Sequence, residues 1–384
     1  MQSSGFLDLK SLMALNRTCK ANMIDELSLI VLIENEITRQ HGVETMEEAI
    51  DFWKRVCRQK PLLKQWLERD YSSSNVAESI GTVTRYMLSD ASHYEVMLAK
   101  MLRAVPTQSE RLHLVSGQGT FGRTPLHNAA ISGNPESIKT VIGALHSESE
   151  QLQVVRMRDL IGNTALHFAG ESGNRDSLKT ILALYPESER LKAVNLQNRD
   201  GDTVLHVVAR SGNLESLKLV LLLYPESERL QAVRMHDKSG WTALHWAAWS
   251  GDIECIKLLL WHYPESERLH AVSTPDNDGW TVLHCAAQSG NFESIETILT
   301  LYPESERLQA LNMVTRSGAT VLHRVVDLNN IECIKAVLSL YPESQRLQVL
   351  NERKERTRTM LEDMTSETRG SILGWLSKSE SSAI

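Results

Sequence analysis

The chain has 384 residues and a formal net charge of −7, with 42% hydrophobic and 23% charged residues. An acidic balance lacks the cationic footprint that nucleic acid or an anionic membrane requires, so neither partner is expected. The longest apolar runs, such as Leu27–Ile33, are too short to span a bilayer, and the five cysteines are scattered without a CxxC pair. That pattern predicts no disulfide framework, no zinc site and a reducing, cytosolic compartment.

In chain order, residues 1–89 predict a helical domain without repeats, broken by polar stretches such as Ser72–Asn75. Its first twenty residues mix acids and bases into the apolar stretch, unlike a secretory signal. Residues 6–21, FLDLKSLMALNRTCKA, place F-L-D-x-K-S-L-x-x-L and T-C-K at a spacing that resembles the second half of an F-box. That resemblance implies docking to a Skp1-type ubiquitin-ligase subunit. The Leu-Pro-x-Glu helix that opens such a module has no counterpart in the residues before Phe6. His41 and His93 have no serine or cysteine partner at a recognisable spacing, so no catalytic constellation is expected in residues 1–115. An enzyme there, with the repeats selecting its substrate, is the alternative reading.

Residues 90–121 predict a capping half-repeat, in which a helix and a proline are followed by SERLHLV. The segment ends in GQGTFG, which matches the dinucleotide fingerprint GxGxxG, but no strand precedes it and Gly122 opens the first repeat. No cofactor is expected.

From Gly122 the string G-x-T-x-L-H recurs, with histidines at His127, His167, His206, His245, His284 and His323, spaced by 40 residues and then by 39. In the third unit Leu205, Val208 and Ala209 mark one stripe of a short helix capped by Thr203. Gly212 and Asn213 break the chain. A second helix from Leu214 carries Leu217, Val220 and Leu221 on its inner stripe. Such a unit is too thin to bury its own apolar faces and must stack on its neighbours. The pattern GxTxLHxAxxSGNxESxKxxL resembles the ankyrin repeat. The resemblance implies an all-α ankyrin-repeat solenoid of six repeats over residues 122–351, together with the N-terminal helical domain.

These repeats are about six residues longer than usual for that family. The surplus is the decapeptide that starts at Tyr185, Tyr224, Tyr263, Tyr302 and Tyr341, for example YPESERLQAV. It predicts a third short helix with Pro225 in the first helical position, Glu226 and Glu228 in the first turn, and Leu230 and Val233 docked on the layer below. Its exposed acids form either a docking ridge for a basic partner or a solvated edge.

Consecutive repeat histidines would lie about 10 Å apart, too far to share an ion. No metal site is expected, and the resemblance gives all six histidines a hydrogen-bonding role within and between repeats. Cys285 follows His284 without an orienting carboxylate and predicts a small core residue.

The resemblance also identifies the positions that line a concave binding face. One is the residue between G and T: Arg123, Asn163, Asp202, Trp241, Trp280 and Ala319. Another precedes the inter-helix break: Ile131, Glu171, Arg210, Trp249, Gln288 and Asp327. Trp241, Trp249 and Trp280 therefore share one face, with Arg123 and Arg210 toward its amino-terminal side. Tryptophan and arginine dominate binding hot spots, so these five residues are the predicted partner-binding site.

Residues 352–384 predict a C-terminal cap, since TRTMLEDMTSETRGSILGWL looks like a decayed helix pair, followed by a polar, mobile tail. The near-identical repeats, the F-box-like stretch and this tail together resemble type IV secretion effectors of intracellular bacteria. That resemblance implies export into host cytoplasm and a host protein partner. A substrate adaptor of a ubiquitin ligase is the second form of the same binding function.

Overall fold

The computed structural model describes residues 108–381, apart from 119, 352 and 355–357. The helical domain at 1–89, the F-box-like stretch and the first part of the capping half-repeat lie outside the described residues. The chain divides into two compact units, Met1–Leu160 and Ile161–Ile384.

In the first unit, helix α1 (Gln108–Ser116) leads into the 3-10 turn Thr120–Gly122. GQGTFG therefore follows a helix. The first repeat supplies α2 (Pro125–Ile131), α3 (Pro135–Gly143) and α4 (Glu148–Val155).

The second unit repeats this triplet. The second repeat holds α5 (Ala165–Glu171), α6 (Arg175–Leu182) and α7 (Glu187–Val194). The third holds α8 (Val204–Ser211), α9 (Leu214–Leu221) and α10 (Glu226–Arg234). The fourth holds α11 (Ala243–Ser250), α12 (Ile253–Trp261) and α13 (Glu265–Ser273). The fifth holds α14 (Val282–Ser289), α15 (Phe292–Leu299) and α16 (Glu304–Leu311). The sixth holds α17 (Val321–Asp327), α18 (Ile331–Ser339) and α19 (Glu343–Leu350).

Each first helix is started by a reciprocal box. In the third repeat the backbone N–H of Thr203 donates to Nδ1 of His206 at 3.1 Å, and the Thr203 hydroxyl lies 2.8 Å from the same nitrogen. Gly212 then ends α8 in the left-handed conformation, at φ 66°. Asn213 caps α9 by accepting from the Ser216 N–H at 2.8 Å. Layers stack first helix on first helix, with Leu205, Leu244, Leu283 and Leu322 fully buried. Burying one leucine contributes about 2 kcal/mol, and the first helices also pack on the second helices of their own repeats, so the core runs both within and between layers.

The loops between repeats form a backbone ladder. The Lys238 N–H donates to the Asp200 carbonyl at 2.9 Å, and that of Asn277 donates to Ser239 at 3.0 Å. This close approach explains Gly201. Its φ is 87°, and a Cβ there would stand 2.8 Å from the Lys238 nitrogen. Gly170 has a different cause. Other repeats have alanine or valine at its position, but a Cβ at 170 would meet the Val208 side chain of the next layer at 2.8 Å.

The decapeptide forms the expected third helix, with two corrections. Its proline is the residue before the helix and not the first helical position: Pro225 has ψ 146°, and Glu226 begins α10. The proline carbonyl then accepts the Glu228 N–H at 2.9 Å. The buried anchors are Ala232 and Val233, while Leu230 is half-buried. The motif's tyrosine is the larger wedge, buried in all five copies. The hydroxyls of Tyr224, Tyr263 and Tyr341 donate into the preceding repeat, to Asn195 at 2.6 Å, the Val233 carbonyl at 2.8 Å and Asn312 at 2.9 Å. The motif's arginine turns back on the second helix. In all five copies its Nε donates to the tyrosine carbonyl, as Arg229 does to Tyr224 at 3.3 Å.

After the sixth repeat come two short antiparallel strands, β1 (Arg353–Lys354) and β2 (Arg358–Thr359), then α20 (Met360–Asp363) and α21 (Ser366–Ser381). The strand pair is a small exception among otherwise helical elements. Thr359 and Glu362 remake the capping box, with glutamate where the repeats have histidine. Helix α21 runs through Ser381. Ile372 and Leu376, buried next to the sixth repeat, anchor the turns that carry them.

Candidate functional site

The loop stems place tryptophans by a local device. Oδ1 of Asp237 accepts the N–H groups of Ser239 and Trp241, at 2.8 and 2.9 Å, which closes the turn and sets Trp241 beside Thr242. Asp276 does the same for Asp278 and Trp280, at 2.8 and 2.7 Å. The remaining carboxylate oxygens orient the rings. Oδ2 of Asp276 accepts Nε1–H of Trp241 at 2.5 Å, and Oδ2 of Asp237 accepts Nε1–H of Trp246 at 3.3 Å. Two carboxylates thus build the loops and aim the indoles of this layer.

The four rings form one cluster. Trp241 lies 4.5 Å from Trp246, 5.4 Å from Trp249 and 6.1 Å from Trp280, and Trp249 lies 5.9 Å from Trp280. All pairs are tilted, an arrangement worth about 0.5–1.5 kcal/mol each beyond area burial. Arginines occupy both ends. Arg210 lies 5.0 Å over Trp246 and pairs with Glu171 at 3.1 Å, while Arg324 lies 4.3 Å over Trp280 and pairs with Asp327 at 3.6 Å. Trp249 is exposed, and the other three rings are half-buried. The indole N–H groups of Trp249 and Trp280 have no partner among the described residues.

Trp241, Trp249, Trp280 and Arg210 are therefore neighbours. Arg123 belongs to the first unit, where it lies 5.7 Å over Phe121. Sequence reasoning missed Trp246, Arg324, Asp237 and Asp276. The first two occupy the position after the repeat histidine, where Asn128, Phe168, Val207 and Cys285 stand in other units, and that variability was the available signal. The two aspartates carry no such mark, because their role is visible only when the loop closes.

Two of the repeat histidines, His245 and His284, lie 6.0 and 6.1 Å from the rings of Trp241 and Trp280. In each box Nδ1 accepts the threonine N–H, so Nε2 carries the proton and can donate to the loop that follows the third helix. His206 reaches the Met235 carbonyl at 2.9 Å, His284 that of Met313 at 3.0 Å and His167 that of Asp202 at 3.2 Å. Burial lowers the pKa of His206 and pushes those of His245 and His284 down to about 4. They are neutral struts. Burial pushes the Cys285 thiol well up, which suits packing and not attack. Among the described residues no group of three or more metal-ligating side chains comes together, and no helix is long and apolar enough to cross a membrane.

Stacked helix pairs with laddered loops define a repeat scaffold that presents side chains from several layers to a partner. The sequence profile described as "Ankyrin repeats (3 copies)" matches residues 91–190, 184–268 and 266–349. The chain belongs to the ankyrin-repeat family. Among solved structures it is similar to the human ASB11 ankyrin repeat domain, with 19% identity, a TM-score of 0.43, and coverage of 65% of this chain and 97% of that one. No curated protein matches.

Proposed function

We propose that the chain is a protein-recognition module whose contact surface is the tryptophan cluster of the fourth and fifth repeats, flanked by Arg210 and Arg324. Ankyrin repeats mediate protein–protein interaction, which gives the class of function. The observation that carries the site is Trp249, an exposed indole held in a four-ring cluster that the repeat framework does not require. In the fuller form of this reading the chain is a bacterial effector that holds a host protein, or an adaptor that brings it to a Skp1-type subunit. Those forms rest on the sequence of residues 6–21 and on the resemblance of the repeats and C-terminus to such effectors.

The test is capture of partners from cytosolic lysate by the full-length chain and by Trp249→Ala. Loss of capture with the melting temperature lowered by no more than a few degrees supports the surface. Equal capture by both moves recognition elsewhere. Ligase subunits captured by the full chain, and lost when residues 1–115 are deleted, support the adaptor form.

A further inference from the structure

Side chains of neighbouring loops meet in a fixed register. The residue between G and T pairs with the loop residue 35 positions on. Asn163 accepts from Nδ2 of Asn198 at 3.0 Å, and Trp241 donates Nε1–H to Oδ2 of Asp276 at 2.5 Å. Each of these rungs joins a donor to an acceptor. Between the third and fourth repeats the same register pairs Asp202 with Asp237, two carboxyls that are each only 6% exposed. Oδ2 of Asp202 accepts from Nδ2 of Asn198 at 3.3 Å, while its Oδ1 is buried and has no hydrogen-bond partner. Asp237 uses three acceptor sites, for the N–H groups of Ser239 and Trp241 and for the Trp246 indole. A carboxylate offers about four, so one is left.

Among the described residues no cation forms an ion pair with Asp202. Arg210 of α8 favours the charged carboxyl, but its guanidinium is engaged by Glu171 and by the Trp246 ring. His206, on the same helix, is a neutral strut bound to Met235. His167 of the preceding repeat meets the Asp202 carbonyl and not its carboxyl, and His236, beside Asp237, is exposed. A buried oxygen that faces a carboxylate with no cation at hand lacks a hydrogen. We infer that a proton closes this rung, with Oδ1–H of Asp202 donating to the Asp237 carboxylate, as a pH-sensitive clasp between the third and fourth repeats. Burial, ahead of the Asp237 charge, raises the pKa of Asp202. The folded chain therefore keeps this proton to a higher pH than the unfolded chain does. The clasp's stability is full below the usual aspartate range and is lost as pH rises through the folded value, when the proton leaves to water. Asp237 also holds the Trp246 indole, so the clasp borders the aromatic cluster.

The experiment compares chemical denaturation of the full-length chain and of Asp202→Asn at pH 7.5, 6 and 5. Asparagine stands at this position in the second repeat, as Asn163. At 202 it keeps the acceptor for Asn198 and supplies a permanent donor toward Asp237. Relative to the parent, Asp202→Asn should gain stability as pH rises from 5 to 7.5, and its midpoint should be the higher one at pH 7.5. A difference that stays flat or falls with pH, or a parent that is the more stable at pH 7.5, overturns the clasp. The carboxyl carbon resonance of Asp202 in the parent chain gives a second readout that depends on no variant. It should titrate above the ordinary aspartate value of about 3.9, and Asp237→Asn should bring its midpoint down. Titration at or below the ordinary value refutes the shared proton, and a midpoint that ignores Asp237→Asn breaks the pairing.

Discussion

The third helices and the tryptophan cluster are built on the same repeats but follow opposite rules. In YPESER the tyrosine, the arginine and the Ala-Val pair each have a packing partner in every layer, so the motif is copied almost letter for letter. At the cluster the framework needs only Gly, Thr and His, and the positions between them are free to become Trp241, Trp246, Trp249 and Trp280. Repetition marks what stacking demands, and variation marks what a ligand can use.

The largest effect should come from acid, which attacks the framework at once in several layers. Buried His206, His245 and His284 have folded-state pKa values below the ordinary 6.5, and those of His245 and His284 are about 4. The unfolded chain therefore takes up protons first as pH falls. Stability is full above about pH 6.5 and is lost progressively toward pH 4, on the order of 3 kcal/mol for each of these two rings. Chemical denaturation at pH 7.5, 6 and 5 checks this; a midpoint that stays flat across that range would deny the histidines their role as neutral struts.

Next is the motif's wedge. Tyr263→Ala should cost about 3–5 kcal/mol, and Tyr263→Phe about 1 kcal/mol for the hydroxyl bond to Val233. Burial also raises the Tyr263 phenol to about 12, so it should resist ionisation in a spectroscopic alkaline titration. A Tyr263→Ala chain as stable as the parent would mean that the decapeptide is a surface feature after all.

A smaller effect tests the fit between layers. Helix propensity favours Gly170→Ala by about 1 kcal/mol, yet the contact with Val208 should reverse the sign. In a Val208→Ala background the same change should become favourable, giving a coupling of about 1–2 kcal/mol in a double-mutant cycle. Additive effects would remove the proposed layer-to-layer contact. Smallest on stability, Trp249→Ala should cost about 1 kcal/mol through its lost ring neighbours, while its effect on binding is large. A cost near that of Tyr263→Ala would make the cluster framework and erase the contrast.

Much of the array was legible in the sequence. The 39-residue period, the TxLH box and the apolar stripes at Leu205 or Leu217 follow from local spacing, which depends only on helical geometry. The offset of Pro225 was harder to read, because proline suits both the cap and the first turn, and the choice falls to the Glu228 bond to its carbonyl. The packing of the C-terminal helix was not legible, because the surface that Ile372 and Leu376 find on the sixth repeat is not written in their own segment.

Sequence alone determined that each layer must stack, since no 39-residue unit can bury its own apolar face. Tertiary structure decided which side chains meet across layers. Trp241 finds Asp276 and Arg324 finds Trp280, pairings distant in sequence that depend on how adjacent loops close. Local periodicity fixes the direction of a stripe but not the partner that faces it.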